Sequence, residues 1–303
     1  MPTPEPARRP VSFGPMTEQL LRALLDDASL FPPASLPMPA AVAAHRRHQA
    51  AWYSALCGPF VCADTRLADL RAAMSTGNAA PLELSLVVTG GADALPAALD
   101  AVAAEPWIRL RAVEVPAAKG GEPADAVDAV VTALDNAPLA AAPGYVEVPI
   151  AAIAEPAAAG PLLAIVDEHG YRPKLRTGGV TADAFPADAT LARCLAAVVD
   201  RRTPFKCTAG LHHAVRHTAA DTGFEHHGFL NVLLAVGAAS RGADTAELTA
   251  LLAERDPAAV AARISALAEE AVAEIRYLFT SFGTCSTDEP VTDLVALGLL
   301  AQP

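Results

Sequence analysis

Lysine is scarce in this chain: Lys119, Lys174 and Lys206 are its only three, and the other 19 of its 22 basic residues are arginine. Lys174 and Lys206 both fall inside short strand-like runs, Lys174-Leu175-Arg176 and Phe205-Lys206-Cys207-Thr208, where a charge is costly unless it is paired or used. Arginine keeps its proton, whereas lysine can give it up and attack a carbonyl carbon. A free lysine has a pKa of about 10.4, so about one molecule in a thousand or fewer carries the reactive amine at neutral pH. A nearby cation and partial removal from water lower that value, and two lysines on adjacent strands supply both. One of the two is therefore read as a nucleophile and the other as the charge that activates it. The competing reading is structural: one lysine pairs with Glu114 or Glu147 and the other snorkels to the rim.

The partners such chemistry needs are present. Two segments read Val-Glu-Val-Pro, at 113–116 and 146–149, and a proline after a strand stops pairing and forces a turn. Glu114 and Glu147 should therefore stand at equivalent strand ends and point the same way, Glu147 for proton transfer and Glu114 toward the substrate. Thr177-Gly178-Gly179 offers backbone N–H groups to an anion, with Arg176, Lys174 and Arg216 adding charge. His212 is placed as an acid or base, His213 as an anion contact, and Ser281 joins them from the last strand. Adjacent histidines on an extended backbone do not converge on one ion, and no HExxH spacing links His212-His213 to His226-His227, so the reading contains no metal and no cofactor. Cys207 and Cys285 read as packing thiols, His45 and His48 as solvent-facing residues of a helix, and the Gly-x-Ser-x-Gly of an α/β-hydrolase is missing.

These residues need a scaffold that brings them together. Strand-like runs occur at 28–31, 58–62, 82–89, 108–115, 145–149, 174–176, 204–208 and 277–282, and helical patterns follow them at 40–56, 66–74, 92–104, 123–134, 189–199 and 290–300. A helix over 17–25, with Thr17 as its N-cap, precedes the first. The segment 228–276 holds helical stretches and no strand, with Asp256-Pro257 marking a helix start. Eight strand-then-helix units predict the α/β class, a (β/α)8 TIM barrel with a helical insertion at about 225–275 before the last strand. The barrel is one domain over 16–303, behind a flexible, proline-rich arm over 1–15. Neither GxGxxG nor a Walker A sequence supports an open nucleotide-binding sheet. In such a barrel the C-terminal strand ends form the active-site mouth, which would gather Ser29, Asp64, Glu114, Glu147, Lys174, Arg176, Lys206 and Ser281.

Two of these strand ends resemble a known pattern. Lys206-Cys207-Thr208-Ala209-Gly210 resembles the Lys-x-Ser/Thr-x-Gly strand end of Schiff-base aldolases of the deoxyribose-phosphate aldolase kind, and Lys174-Leu175-Arg176-Thr177-Gly178-Gly179 resembles their Lys-x-Ser-Gly-Gly strand end. The two motifs stand in the opposite chain order, the second carries an extra residue, and the likeness spans these segments alone. It implies a TIM barrel with paired lysines and puts Lys206 in the place of the imine-forming lysine. The sixth-strand position, commoner among such barrels, falls on Lys174.

Composition narrows the partners. With 52% hydrophobic and 18% charged residues the chain is globular rather than disordered. A net charge of −12 argues against a nucleic-acid surface, and a basic pocket within it selects a small anionic substrate. No apolar run reaches the ~18 residues of a membrane span. The first 15 residues hold Arg8-Arg9 without an apolar stretch behind them, so no secretory or twin-arginine leader is read there. Five cysteines, odd in number and without a CxxC pair, fit free thiols in the cytoplasm. Assembly into a homo-oligomer stays open. The expected activity is that of a lyase of the aldolase type acting on a small anionic carbonyl compound through a lysine Schiff base. The alternative is a metal- or anion-binding TIM-barrel isomerase or hydrolase that uses the lysines as fixed charges. A non-catalytic interaction protein would leave the polar strand ends idle.

Overall fold

Short runs of Val, Leu and Phe separated by alanine-rich helices close into a barrel. The computed structural model describes residues 15–75 and 80–302. Its strands are β1 (Leu25–Asp27), β2 (Cys57–Ala63), β3 (Leu82–Val87), β4 (Ile108–Pro116), β5 (Gly144–Glu147), β6 (Arg172–Arg176) and β7 (Phe205–Thr208), then an antiparallel pair β8 (His217–Thr218) and β9 (Glu225–His226), and finally β10 (Phe279–Thr284). β1 to β7 and β10 form a closed, all-parallel eight-stranded barrel in which β10 lies between β7 and β1. The chain is thus the expected (β/α)8 TIM barrel. Every second residue of a strand shares a face, and Leu82, Leu84 and Leu86 of β3 and Val113 and Val115 of β4 are fully buried on one face of their strands.

The helices sheath the barrel through one apolar face each. In Pro123–Asp135 that face is Val127, Val130, Val131 and Leu134, spaced three and four apart. Proline stands in the first turn of this helix and of Met38–Gln49, Leu95–Ala103, Pro156–Asp167 and Pro257–Ser265, where its missing N–H costs nothing. Before β10 come four helices, Phe229–Ala239, Thr245–Ala253, Pro257–Ser265 and Glu269–Leu278, and no barrel strand lies among them. Asp256 caps the third, accepting the Ala258 N–H at 2.9 Å. Buried Asn231 in the first of the four ties it to the end of the second and to the preceding loop: its Nδ2 donates to the Leu251 and Glu254 carbonyls, and its Oδ1 accepts the Arg216 N–H. Among the described residues no helix is long and apolar enough to cross a membrane.

Three expectations need correction. The first strand is Leu25–Asp27, not 28–31, and the helix before it is Pro15–Leu21, so Thr17 is inside the helix rather than its cap. Segment 40–56 is shorter as a helix, Met38–Gln49. His45 and His48 are buried, not solvent-facing, because that helix turns Ala41, His45 and His48 inward at helical spacing. There His45 Nδ1 meets Asp27 Oδ2 at 3.0 Å and His48 Nδ1 meets the Tyr53 hydroxyl at 2.8 Å. The expected arm over 1–15 lies outside the described residues except for Pro15.

Candidate active site

Register places the lysines side by side. Lys174 of β6 and Lys206 of β7 are direct Cα partners, and Lys174 pairs on its other side with Glu147 of β5. Glu114 of β4 pairs with Tyr145, two residues before Glu147. Since side chains two apart on a strand share a face, both glutamates point into the barrel, as the repeated Val-Glu-Val-Pro predicts. The result is a chain of alternating charges. Lys206 Nζ donates to Asp26 Oδ2 at 2.5 Å and Glu114 Oε1 at 2.6 Å. Lys174 Nζ lies 2.7 Å from Glu114 Oε2 and 3.0 Å from Glu147 Oε2. Arg176 closes the series, its Nε 2.7 Å from Glu147 Oε1 and its second amine 3.3 Å from Oε2.

Hydroxyls and an aromatic ring complete the shell. Ser85 donates to Glu114 Oε1 at 2.5 Å and Ser281 to Asp26 Oδ2 at 2.8 Å. The Tyr145 ring centre lies 5.4 Å from Lys206 Nζ. Asp26 fits because its neighbour on β2 is glycine: a Cβ on Gly58 would lie 2.4 Å from Asp26 Oδ1.

Burial and partners set the protonation states. Burial alone would lower the pKa of Lys206, but the Asp26 and Glu114 carboxylates overcome it and hold Lys206 above the ordinary lysine value. The expectation that Lys174 depresses Lys206 is therefore reversed, because Glu114 stands between the two ammonium groups and neutralises their repulsion. Against burial, Lys174 and Lys206 together hold Glu114 well below the usual carboxylate range, and Lys174 and Arg176 lower Glu147. Asp26 goes the other way: burial outweighs the attraction of Lys206 and raises it.

A cavity of about 580 Å³ opens onto this floor. Of the residues expected at the site, Lys206, Lys174, Glu114 and Arg176 line it, as do Gly178, Gly179 and His212. Glu147 supports the wall by holding Lys174 and Arg176, and Ser281 reaches the site only through Asp26. His213 is outside the cavity lining and pairs with Asp293 at 3.0 Å. Arg216 also stands aside, paired with Asp188 at 3.1 Å. Asp64 clasps the Thr89 N–H and hydroxyl, and the Ser29 N–H donates to Asp27; neither side chain lines the cavity. The glycines are there for close approach: a Cβ on Gly178 would lie 2.7 Å from the Gly210 Cα, and Gly210 itself has φ +78°. Asp26 and Ser85 were missed by sequence reasoning, although Asp26-Asp27 directly follows the apolar Leu24-Leu25, a place where carboxylates call for a reason as much as lysines do. Among the described residues, no group of three or more His, Cys, Asp or Glu side chains is placed to hold a metal ion.

Two histidines, half-buried His212 at the cavity and buried His227, titrate in opposite directions. Burial, aided by Arg216, pushes His227 down to about 4. His212 is raised to about 9, because hydrogen bonds with Cys285 and Glu289 outweigh burial. Between about 4 and 6.5 the unfolded chain binds a proton that folded His227 refuses, so stability falls as pH drops through that window. Folded His212 keeps its proton up to about 9, so its contribution is complete below about 6.5 and is lost as pH rises through that value. At about 1.4 kcal/mol per pKa unit each limb is worth roughly 3 kcal/mol. Urea midpoints at pH 4.5, 6.5 and 9 should peak at the middle value. His227→Gln should flatten the acid limb and His212→Asn the alkaline one; midpoints that ignore both substitutions would refute the assignment.

The sequence matches no protein-family model and no curated protein.

Proposed function

We propose that the protein is a lyase of the aldolase type, which takes a small anionic carbonyl compound into the cavity and holds it as a Schiff base on Lys206. One observation carries this reading: a single amine on the cavity floor lies between two carboxylates of opposite tendency, Asp26 raised and Glu114 lowered. Carboxylates pushed apart in this way divide the roles of proton acceptor and fixed charge. At rest Lys206 is an ammonium ion. As the carbonyl group arrives, Lys206 passes a proton to Asp26, the neutral amine adds to the carbonyl carbon, and one of its two remaining protons moves to the oxygen to give a carbinolamine. The carbinolamine hydroxyl then takes the first proton back from Asp26 and leaves as water. An iminium cation remains beside ionised Glu114, ready to accept the electron pair of a breaking carbon–carbon bond. His212 lines the same cavity and serves the later proton transfers, while Glu147 fixes Lys174 and Arg176.

Arg176 and Lys119 both line the cavity and supply positive charge for the anionic group of the substrate. A charge-assisted hydrogen bond is worth about 1.5–3 kcal/mol, so Arg176→Ala should raise KM roughly tenfold or more with a smaller change in kcat. A fall in kcat at unchanged KM would remove Arg176 from substrate binding. The reading as a whole is tested by borohydride reduction in the presence of a panel of small oxo acids and aldehydes, followed by intact mass. A covalent adduct supports it. The raised pKa of Lys206 favours a second reading, an anion-binding isomerase or hydrolase in which both lysines remain fixed charges. Turnover of an anionic carbonyl compound without any trapped adduct would select that reading.

A further inference from the structure

The cavity holds a second potential nucleophile that the lysine chemistry does not use. Cys285 directly follows β10 and lines the cavity together with His212. Its Sγ lies 3.5 Å from His212 Nδ1 and 3.8 Å from Nε2. Glu289 Oε2 lies 3.2 Å from Nδ1 as well, so the carboxylate holds that nitrogen and Nε2 is left to the sulfur. Glu289 is in the first turn of the helix Asp288–Ala296 and is steadied there by its own N–H, which donates to Ser286 Oγ at 3.3 Å. Thiol, imidazole and orienting carboxylate are the parts of an activated sulfur nucleophile.

The other cysteines show what a packing thiol looks like in this protein. Cys57, Cys62 and Cys194 donate to backbone carbonyls and are pushed up to about 12 by burial. Burial raises Cys207 as well. Cys285 instead faces an imidazole that is held in its protonated form more firmly than an ordinary histidine, although burial opposes that charge. Cys285 also has a place of its own in the cavity. Phe282 pairs with Cys207, so Cys285 stands above the level of Lys206, at the mouth rather than the floor.

We propose that Cys285 is a nucleophilic sulfur, paired with the His212 imidazole that Glu289 orients, and that it captures a small aldehyde as a hemithioacetal at the cavity mouth. The step is balanced without a further reactant. Sulfur and imidazole share one proton, which rests on His212; sulfur adds to the aldehyde carbon, and the carbonyl oxygen takes that proton from the imidazolium. An aldehyde is the fragment released by carbon–carbon cleavage at an iminium, so this choice of ligand rests on the proposed lyase reading; the reactivity of the thiol does not.

The test is alkylation of the full-length protein with iodoacetamide at pH 7, followed by peptide mapping. Cys285 should be modified at least tenfold faster than the other four cysteines, and glycolaldehyde should slow its modification saturably where glycerol does not. His212→Asn should slow labelling at least tenfold, and Glu289→Gln by a smaller factor, with the circular dichroism spectrum unchanged. In the unmodified protein the labelling rate should persist well below pH 8.5, near which an ordinary thiol titrates. This profile decides the matter even if His212→Asn fails to fold. Labelling no faster than at Cys57, or a rate that follows an ordinary thiol titration, would overturn the nucleophile; rapid labelling that glycolaldehyde leaves unchanged would overturn the aldehyde. Lys206→Arg should label like the parent protein, so failure of imine trapping and failure of the thiol site are separate results.

Discussion

Lys206→Arg should abolish borohydride trapping and lower turnover by on the order of a thousandfold or more, because the substitution keeps the cation and removes the amine that can form an imine. The reasoning depends on where the charge sits. Lys206 is held between Asp26 at 2.5 Å and Glu114 at 2.6 Å, so an arginine there still neutralises both carboxylates, and the loss can be assigned to chemistry rather than to an unpaired buried charge. Lys174→Arg should retain the adduct and a substantial part of the turnover, since Lys174 serves Glu114 and Glu147 as a cation. Intact mass after reduction reads the outcome directly. If both variants keep near-normal turnover, covalent catalysis is wrong and the lysines are fixed charges. If only Lys174→Arg loses the adduct, the two lysines exchange roles.

The lysines were legible in the sequence because their scarcity makes each one conspicuous, and the alternation of strands and helices sufficed to put them on neighbouring strands of a barrel. Their environment was not legible. The carboxylates that hold Lys206 come from 180 and 92 residues away in the chain, and that separation decides the sign of its pKa shift: a neighbouring lysine alone would lower it, while Asp26 and Glu114 raise it. Asp26 went unseen because β1 is three residues long, Leu25-Asp26-Asp27, too short to show an apolar period, so the first strand was sought three residues later. His213 and Ser281 show the limit of placing residues by strand end alone. His213 adjoins His212 in sequence, yet it is turned to Asp293 at the surface, and Ser281 acts on the site only through its bond to Asp26.

Glu114 carries the site structurally, and its removal should cost more stability than that of any other member. Its two oxygens take Lys206 and Ser85 on one side and Lys174 on the other, and its side chain is almost wholly buried. Removing one partner of a buried ion pair costs about 3–5 kcal/mol because the remaining charge is left uncompensated. Glu114→Gln leaves the buried series with one positive charge in excess, although Lys206 keeps Asp26 and Lys174 keeps Glu147, so a loss within that range is expected in urea unfolding. A second variant isolates the cause. Adding Lys174→Met to Glu114→Gln removes that excess positive charge, so the double variant should be more stable than the sum of the single losses predicts. The pH dependence should change as well. With Glu114 gone, Lys206 loses one of the two carboxylates that raise it, so the deficit should be full below about 10.4 and shrink as pH rises above that value. A Glu114→Gln protein of parental stability, with no coupling to Lys174 and no such pH dependence, would mean that the alternating charges on the barrel floor do not hold one another in place.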